Sequence, residues 1–320
     1  LRTNHQFGIA LMQQFDLPLE FIEKISRSFG DIGKVWLLDL PETIEVCAQQ
    51  WRLQNLEVAC GLSYNLILFA QHPQYGPVVL KIGVPHLDLF SEMEAIQLYE
   101  GHDICRCYAL DKTRGAMLLE RILPGKDLRS VQDAGERFRI AADLYARNKT
   151  EVPEECGLPT YQNLIERAIK RLPEYPHMPA KLMTWLYQIK KQHKNLVREA
   201  EHLTVLHCDL HHMNILQDGE EWKLIDPKGF IGISAMECIR FMQNEVDLYP
   251  TEDPKSVVLQ MISLFAPALG VSEDTVKKCY FIDSVLSCTW SHEDSSPGEQ
   301  LDGCLASCQL GIELMKTIRK

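Results

Sequence analysis

The stretch VLHCDLHHMNIL, residues 205–216, places three histidines, a cysteine and an aspartate between two apolar ends. A short apolar run, NILQD, closes the stretch, and a second run, WKLI, follows a turn at DGEE. Both runs are too short for helices, so we predict two strands. Because Asp209, Asn214 and Asp226 flank these strands, we expect their oxygen-bearing side chains to converge on one point. The segment therefore predicts a site built from oxygen ligands.

Oxygen ligands of this kind suit Mg²⁺, which is usually held by one or two carboxylates together with substrate phosphates. Phosphoryl transfer uses one carboxylate to orient and deprotonate the attacking hydroxyl, while an amide and a second carboxylate hold metal ions on the nucleotide phosphates. With these roles, Asp209 is the predicted catalytic base, and Asn214 and Asp226 are the predicted metal ligands.

Two other kinds of site deserve comparison with this hypothesis. The histidines at 207, 211 and 212 are residues that zinc accepts, but their spacing lacks the HExxH pattern and a second ligand cluster. A serine or cysteine hydrolase needs a nucleophile on a sharp elbow such as G-x-S-x-G, and we find none. Neighbours on an extended loop tend to point apart, so a reactive Cys–His pair at Cys208 is disfavoured.

The chain before this segment is predicted to carry a small sheet. Residues 17–52 have helix-like periodicity, with a helix start predicted at Pro41. The runs LEVACGLSYNLILFAQ and GPVVLKIGV indicate a hairpin, and the helical pattern LFSEMEAIQLYEG ends at Gly101. A further strand pair is predicted near CRCYALD and GAMLLERI.

Helical patterns dominate from about residue 127 onward. We place the boundary between two lobes at LPG and predict an α+β chain with domains at 1–123 and 124–320. The acidic side chains Glu245 and Asp247 are predicted to lie on a solvated face, with the alternative that one or two such groups line the cleft for the acceptor.

Composition indicates an ordinary globular protein, because 46% of the 320 residues are apolar and 24% are charged. The longest apolar stretch, VVLQMISLFAPALGV at 257–271, is too short to span a bilayer and predicts a buried helix. No signal peptide is visible at the N-terminus. We therefore expect a cytoplasmic protein that does not engage a membrane.

The eleven cysteines are odd in number and lack the regular spacing of a disulfide framework, so we expect reduced thiols. The formal net charge of −11 argues against nucleic-acid binding, which requires clustered Lys and Arg. It favours a cationic small-molecule substrate. No obligate protein partner is visible in the sequence.

The motif HCDLHHMN followed by IDPKG resembles the catalytic and metal-binding segments of aminoglycoside phosphotransferases. The details LHH and DPKG are most similar to the streptomycin 6-kinase and hydroxyurea kinase branch. The likeness runs from the hairpin near residue 57 to the helix after 237. It implies a two-lobed protein kinase-like fold, with a small N-terminal nucleotide-binding lobe and a larger, mainly helical catalytic and substrate-binding lobe.

The resemblance also implies roles for residues of the N-terminal lobe. Lys81 of VVLKI is expected to contact the phosphates of ATP, paired with a helix carboxylate for which we choose Glu92 over Glu94. The nucleotide-binding set further includes Ser63, Glu120 and Ile122. Ser63 lies in the loop CGLSYN that would cover the phosphates, and the other two lie at the hinge that would meet adenine through backbone groups.

Around the catalytic motif, the resemblance gives His207 the role of bracing the loop through its ring nitrogens. Two interpretations of Lys228 in DPKG remain open. It is either a solvated surface lysine or a group near the transferred phosphate or the metal loop. Glu237 matches an acidic residue of the family, and acidic groups in this region would hold a cationic, hydroxyl-rich acceptor.

The chain departs from the family at two places. Cys208 stands where the family usually has Gly, and Ile233 and Ser234 stand where an Asp is usual. The expected reaction is transfer of a phosphoryl group from ATP, with Mg²⁺, to a hydroxyl of an aminoglycoside such as streptomycin. Hydroxyurea or another small metabolite is the rival acceptor, and a catalytically silent nucleotide-binding protein is the rival class.

Overall fold

The computed structural model describes residues 17–99, 101, 103–175, 178–294 and 301–318. In chain order the helices α1 to α9 are Leu19–Gln50, Leu87–Leu98, Ala134–Arg147, Tyr161–Arg171, Ala180–Glu199, Ile239–Leu248, Pro254–Leu269, Glu273–Asp294 and Leu301–Met315. The strands β1 to β11 are Gln54–Val58, Asn65–His72, Gly76–Gly83, Cys107–Asp111, Ala116–Glu120, Pro124–Asp127, Thr150–Glu151, Thr204–Leu206, Ile215–Asp218, Glu221–Leu224 and Phe230–Gly232. The chain divides into two compact units between Gly125 and Lys126, two residues after the boundary predicted from the sequence.

The first unit is built on a five-stranded sheet with the order β1-β2-β3-β5-β4, in which neighbouring strands are antiparallel. The predicted hairpin is present as β2 and β3. Along β2 every second side chain is buried, at Leu66, Leu68 and Ala70, as expected for one sheet face turned to a core. Phe21 and Leu40 of α1 belong to the same apolar cluster, so the helix covers that face.

The prediction of a helix start at Pro41 is wrong, because Pro41 lies inside α1. Apolar positions at Trp36, Leu40 and Ile44 continue the helical spacing through the proline, and all three are buried. Burial of this stripe outweighs the backbone hydrogen bond that a proline removes. The helix is interrupted instead at Gly30, whose φ of 58° is a left-handed conformation that glycine adopts without a Cβ penalty.

The second unit carries most of the helices together with the three-stranded sheet ordered β11-β8-β7 and the hairpin of β9 and β10. The two strands predicted from NILQD and WKLI are confirmed as β9 and β10. The apolar stretch at 257–271 forms most of α7, which buries Val258, Met261 and Phe265, as predicted for a core helix. Within the described residues no single helix has the length and apolar character to cross a bilayer, although α7 and α8 reach both together as a pair bent by 112°.

A buried ion cluster of Arg137, His212 and Glu245 joins three parts of this unit. The prediction of a solvated face is wrong for Glu245, which is 2% exposed, whereas Asp247 is exposed. Nε of Arg137 donates to Oε2 of Glu245 at 3.1 Å, and Nη2 donates to Oε1. Nε2 of His212 donates to Oε2 at 2.7 Å. The cluster therefore fixes α3 and α6 to the turn that begins at His212.

The ion cluster also sets the ionisation of its carboxylate. Burial by itself would raise the pKa of Glu245, but the hydrogen bonds from His212 and Arg137 and the charge of Arg137 outweigh burial and hold the pKa below its usual value. Glu245 is thus a charged group inside the second unit, and both of its carboxylate oxygens accept hydrogen bonds.

The expectation that all eleven cysteines are reduced thiols is wrong for two of them. Cys288 on α8 and Cys304 on α9 form a disulfide, with Cα atoms 4.9 Å apart. The two residues are 16 positions apart and lie on neighbouring helices. Sequence spacing alone does not show which helix faces will pack together, so the pair has no local signature. The other nine cysteines are free thiols.

Replacing Glu245 tests the ion cluster. Glu245→Ala leaves the Arg137 guanidinium buried without its carboxylate, so we expect the free energy of unfolding to fall by about 3–5 kcal/mol. Urea denaturation at pH 7 measures the change. The control is Glu252→Ala, which removes an exposed carboxylate and is expected to change stability by less than about 0.5 kcal/mol. Equal stability of the two variants would contradict a structural role for the cluster.

Candidate active site

Backbone hydrogen bonds bring the two halves of the motif together in the second unit. The hairpin of β9 and β10 pairs Ile215 with Leu224, which places Asn214 beside the chain that leads to Asp226. The Ile225 N–H donates to the Asn214 carbonyl at 3.0 Å, and the Lys228 N–H donates to the His207 carbonyl at 2.8 Å. Segments 207–214 and 225–228 are therefore held side by side.

Asn214 is connected directly to the backbone of the predicted base. Its Nδ2 donates to the Asp209 carbonyl oxygen at 2.9 Å, and the residue is 7% exposed. Since the amide nitrogen is used inside the loop, the amide oxygen is the atom left to act as a ligand. The donor set of an Asn oxygen and the Asp226 carboxylate matches the hard oxygen ligands that Mg²⁺ takes in proteins.

His207 is the first residue of the loop and is fully buried. Its Nε2 donates to the Ile225 carbonyl at 2.8 Å, and its Nδ1 accepts from the Asp209 N–H at 3.3 Å. Burial lowers the pKa of His207 to about 4, although the nearby Asp209 carboxylate opposes this shift. The ring is therefore neutral at physiological pH, and it ties the base-bearing loop to the segment of Asp226.

Glu237 holds the start of the same loop from the other side. It is 5% exposed, its Oε1 accepts from the His207 N–H at 2.9 Å, and its Oε2 accepts from the Cys208 N–H at 3.1 Å. Burial raises the pKa of Glu237 to about 7 against the effect of these two hydrogen bonds. Both carboxylate oxygens are thus occupied by the loop backbone.

Cys208, which stands where the resembled family has Gly, has a φ of 59°. A residue with a Cβ pays roughly 1–2 kcal/mol for this left-handed conformation, which explains why glycine suits the position. Asp226 also has a positive φ, 60°, a conformation that Asp tolerates better than most residues. Burial raises the pKa of the Cys208 thiol, which disfavours the thiolate form that a nucleophile needs.

Asp209 is ionised although it is half-buried. Burial by itself would raise the pKa of Asp209, but the charge of Lys228, followed by the effects of His211 and Arg240, holds it below the usual value. The Lys228 ammonium lies 3.2 Å from Oδ2 of Asp209 and is 51% exposed, so water screens this pair. An ionised carboxylate on a fixed loop is the form that a general base requires.

Sequence reasoning missed a second cluster behind Asp209. Arg240 on α6 has its Nε 3.7 Å from Oδ2 of Asp283, and Oδ1 of Asp283 accepts a hydrogen bond of 2.5 Å from the Tyr161 hydroxyl. The Arg240 guanidinium also lies over the Trp290 ring, 5.1 Å from its centroid. These residues come from three distant parts of the chain, so no local pattern connects them to the motif.

The two positions where the family usually has an Asp after the motif carry no carboxylate. Ile233 is 4% exposed and belongs to the core, and the Ser234 hydroxyl donates to the Leu269 carbonyl at 3.4 Å. Neither side chain replaces the missing acidic group.

The three histidines of the motif bond to different partners. His207 contacts Ile225, His212 contacts Glu245, and Nδ1 of His211 accepts from the Met213 N–H at 3.3 Å. In the described ranges no group of three or more His, Cys, Asp or Glu side chains has an arrangement that could hold a metal ion.

In the first unit, Lys81 of β3 is 2% exposed, and its ammonium lies 2.5 Å from Oε1 of Glu92 on α2. Glu92 is itself buried, while Glu94 is half-buried. A buried ammonium needs such a carboxylate partner, because removing an unpaired charge from water is costly. The pair fixes the lysine on the sheet.

The other nucleotide-binding residues predicted in this unit occupy the following places. Ser63 is exposed in the loop between β1 and β2, and its hydroxyl accepts from Lys24 at 3.2 Å. Glu120 ends β5, and its Oε2 accepts from the Arg106 N–H at 3.1 Å. Ile122 follows two residues later and is 5% exposed.

Solved structures identify the fold as that of protein kinase-like phosphotransferases. The choline kinase LicA from Streptococcus pneumoniae matches with a TM-score of 0.63 at 15% identity, covering 87% of this chain and 99% of that one. A thermostable mutant of the aminoglycoside phosphotransferase APH(4)-Ia, in a ternary complex with ADP and hygromycin B, matches with a TM-score of 0.58 at 10% identity, covering 85% and 97%. The predicted fold class is confirmed.

Residues 50–295 match the aminoglycoside/hydroxyurea antibiotic resistance kinase family, and this chain belongs to that family. It is 25% identical over 292 residues to the streptomycin 6-kinase of Streptomyces glaucescens, covering 88% of this chain and 92% of that protein. It is 24% identical to the hydroxyurea phosphotransferase of Kitasatospora aureofaciens, covering 87% and 81%. The predicted resemblance is confirmed, and the protein is a phosphotransferase with an alcohol group as acceptor.

The backbone at Cys208 is tested by comparing Gly with Ala. Both substitutions remove the thiol, but only Gly relieves the positive φ, so we expect Cys208→Gly to be more stable than Cys208→Ala by about 1 kcal/mol. Thermal and urea unfolding measure the difference. The matched pair is Cys107→Gly and Cys107→Ala in strand β4, where the order should reverse because glycine weakens a strand. The same order at both positions would refute backbone strain at Cys208.

Proposed function

We propose that this protein transfers the γ-phosphoryl group of ATP to a hydroxyl of an aminoglycoside-type acceptor, most like streptomycin. The observation that carries the proposal is the loop at 207–214, on which an ionised Asp209 and an Asn214 are held together and tied to the segment of Asp226. Membership of the antibiotic resistance kinase family supports the acceptor class.

Asp209 is the proposed base. Its carboxylate orients the attacking hydroxyl and accepts its proton as the oxygen bonds to the γ-phosphorus, while the bond from that phosphorus to the bridging oxygen breaks and ADP leaves. Two sets of hydrogen bonds hold the loop for this role. Nδ1 of His207 accepts from the Asp209 N–H, and the Glu237 carboxylate accepts from the N–H groups of His207 and Cys208. Lys228 pairs with Asp209 at 3.2 Å and is the proposed cation near the transferred phosphate.

Asn214 and Asp226 are the proposed ligands of Mg²⁺, since their oxygens fit that ion. Bound Mg²⁺ supplies positive charge that neutralises the nucleotide phosphates. Lys81, fixed by Glu92 at 2.5 Å, is the proposed contact to those phosphates, and its pairing keeps the ammonium in one place. Ser63 is proposed for the loop that covers the phosphates. Glu120 and Ile122 are proposed for the adenine hinge.

The acceptor is proposed to be a cationic, hydroxyl-rich small molecule, in keeping with the net charge of −11. Hydroxyurea is the second candidate, because the matched family and one relative at 24% identity carry that activity in their names. An acidic residue that would attract a cation is replaced here by Ile233 and Ser234. This replacement favours a less cationic acceptor, such as hydroxyurea.

Replacing the base tests the chemical assignment. Asp209→Asn keeps the shape of the side chain but cannot accept the proton, so we expect kcat for phosphoryl transfer to fall by about 10²–10⁴-fold. Transfer from radiolabelled ATP with Mg²⁺ measures the rate. Glu220→Gln, at the exposed turn between β9 and β10, is the control and should retain wild-type turnover. An active Asp209→Asn enzyme would remove Asp209 from the reaction.

An acceptor panel tests the substrate class. We expect kcat/KM for streptomycin to exceed that for hydroxyurea by at least about tenfold, as a ligand with more hydrogen-bonding groups gives the enzyme more binding energy to use. The products are identified by mass spectrometry. Preference for hydroxyurea would support the second candidate, and nucleotide binding without transfer to any acceptor would indicate a catalytically silent protein.

A further inference from the structure

The N-terminal helix α1 contacts the loop between β1 and β2. The Lys24 ammonium donates to Oγ of Ser63 at 3.2 Å and lies 4.2 Å from the centroid of the Tyr64 ring. The Phe29 ring meets the Tyr64 ring edge to face, at an interplanar angle of 86° and with centroids 6.5 Å apart. Leu62 of the same loop packs against the apolar cluster that α1 shares with the sheet. Three successive residues of the loop are therefore held from the side of α1.

Phe29 also contacts the segment that leads into α2. Its ring lies edge to face against the His86 ring, with centroids 5.0 Å apart. His86 immediately precedes α2, and its Nδ1 donates to the Val84 carbonyl at 2.6 Å. The same helix carries Glu92, whose carboxylate pairs with the Lys81 ammonium. One aromatic side chain of α1 therefore connects the loop to the helix that fixes the buried lysine.

The contacts reach the loop from the core face of the sheet. Helix α1 shares its apolar cluster with Leu68 and Leu80, which lie on that face. Lys81 follows Leu80 on β3, so its side chain belongs to the opposite face. Lys24 and Phe29 therefore do not share a face with the lysine proposed to contact the phosphates. Any effect of these two residues on a bound nucleotide is transmitted through the loop.

The composition of the loop explains why such support matters. The sequence CGLSYN contains a single glycine, Gly61. A loop that closes over a ligand loses conformational entropy when it is ordered, and this loss weakens binding. Contacts that order the loop beforehand reduce that loss. Side chains of α1 provide such contacts at Ser63 and Tyr64.

We propose that Lys24 and Phe29 are positioning residues for the nucleotide site, which hold the loop at 60–64 in a fixed place relative to Lys81. The proposal rests on the proposed function, because it takes this loop as the one that covers the phosphates. The two residues raise the affinity for ATP by ordering the loop, without touching ATP themselves.

Hydrogen exchange without nucleotide tests the contacts. In Lys24→Met and in Phe29→Leu we expect amide exchange in the peptide 59–66 to be at least about threefold faster than in the wild type. The matched control is Lys34→Met, because Lys34 lies on the same helix, is exposed and pairs with Asp31 rather than with the loop. Unchanged exchange in the two α1 variants would overturn the proposal. Equal acceleration in the control would do the same.

Titration calorimetry with Mg²⁺-ATP and the full chain tests the consequence for the nucleotide. We expect Lys24→Met to weaken ATP binding by about three- to tenfold, because it removes one exposed cation–π contact and one hydrogen bond. Lys24→Arg should stay within about twofold of the wild type, since a guanidinium can donate to Ser63 and lie over the Tyr64 ring. Faster loop exchange without weaker ATP binding would overturn the positioning role.

A double-mutant cycle tests whether Lys24 acts through the loop. Tyr64→Leu removes the ring that Lys24 contacts, so the loss of ATP affinity in Lys24→Met combined with Tyr64→Leu should be smaller than the sum of the two single losses. Additive losses would show that Lys24 acts independently of Tyr64 and would contradict the proposal.

Turnover separates this proposal from the proposed function. In Lys24→Met we expect the KM for ATP to rise while the KM for the acceptor stays unchanged, which a general destabilisation of the protein would not produce. A rise of both KM values would overturn the positioning role. A wild type that binds ATP but transfers nothing would refute the proposed function and leave the positioning role in place. A wild type that does not bind ATP would refute both.

Discussion

The loop that carries Asp209 depends on one interaction, in which the backbone N–H groups of His207 and Cys208 donate hydrogen bonds to the Glu237 carboxylate. The chain passes through a left-handed conformation at Cys208, with a φ of 59°, which a residue bearing a Cβ resists. Two hydrogen bonds to a buried carboxylate stabilise this conformation. Asp209 follows immediately, so these two hydrogen bonds position the backbone just before it.

A second constraint is the balance of charge around Asp209. Its burial would favour the protonated acid, and the nearby Lys228 and Arg240 favour the carboxylate. His207 adds no net charge, because burial holds its pKa at about 4. The residue that braces the loop is therefore neutral, and the residue expected to react is charged. Burial makes His207 neutral, whereas the cations near Asp209 overcome the effect of burial and keep that carboxylate charged.

Much of the fold and of the catalytic motif could be predicted from local patterns. The alternation of Leu66, Leu68 and Ala70 indicates a half-buried strand, and the apolar spacing at 257–271 indicates a core helix. The prediction of a helix start at Pro41 failed because it used only the local sequence around the proline, whereas the buried apolar stripe of the helix continues through Pro41. Glu245 misled it for a related reason, since a carboxylate is expected at the surface unless its partners, Arg137 and His212, are known.

By itself the sequence predicted the strands around the motif from short apolar runs, while the resemblance of HCDLHHMN and IDPKG to a known family indicated the kinase-like fold and made Asp209, Asn214 and Asp226 the candidate site residues. Only the tertiary structure decided which groups support them. Arg240, Asp283 and Tyr161 meet behind Asp209, and Cys288 meets Cys304, through the packing of helices that are separate in sequence. The physical reason is that the pKa of a buried group and the partner of a side chain depend on distances in space, which helix packing sets and local sequence patterns do not encode.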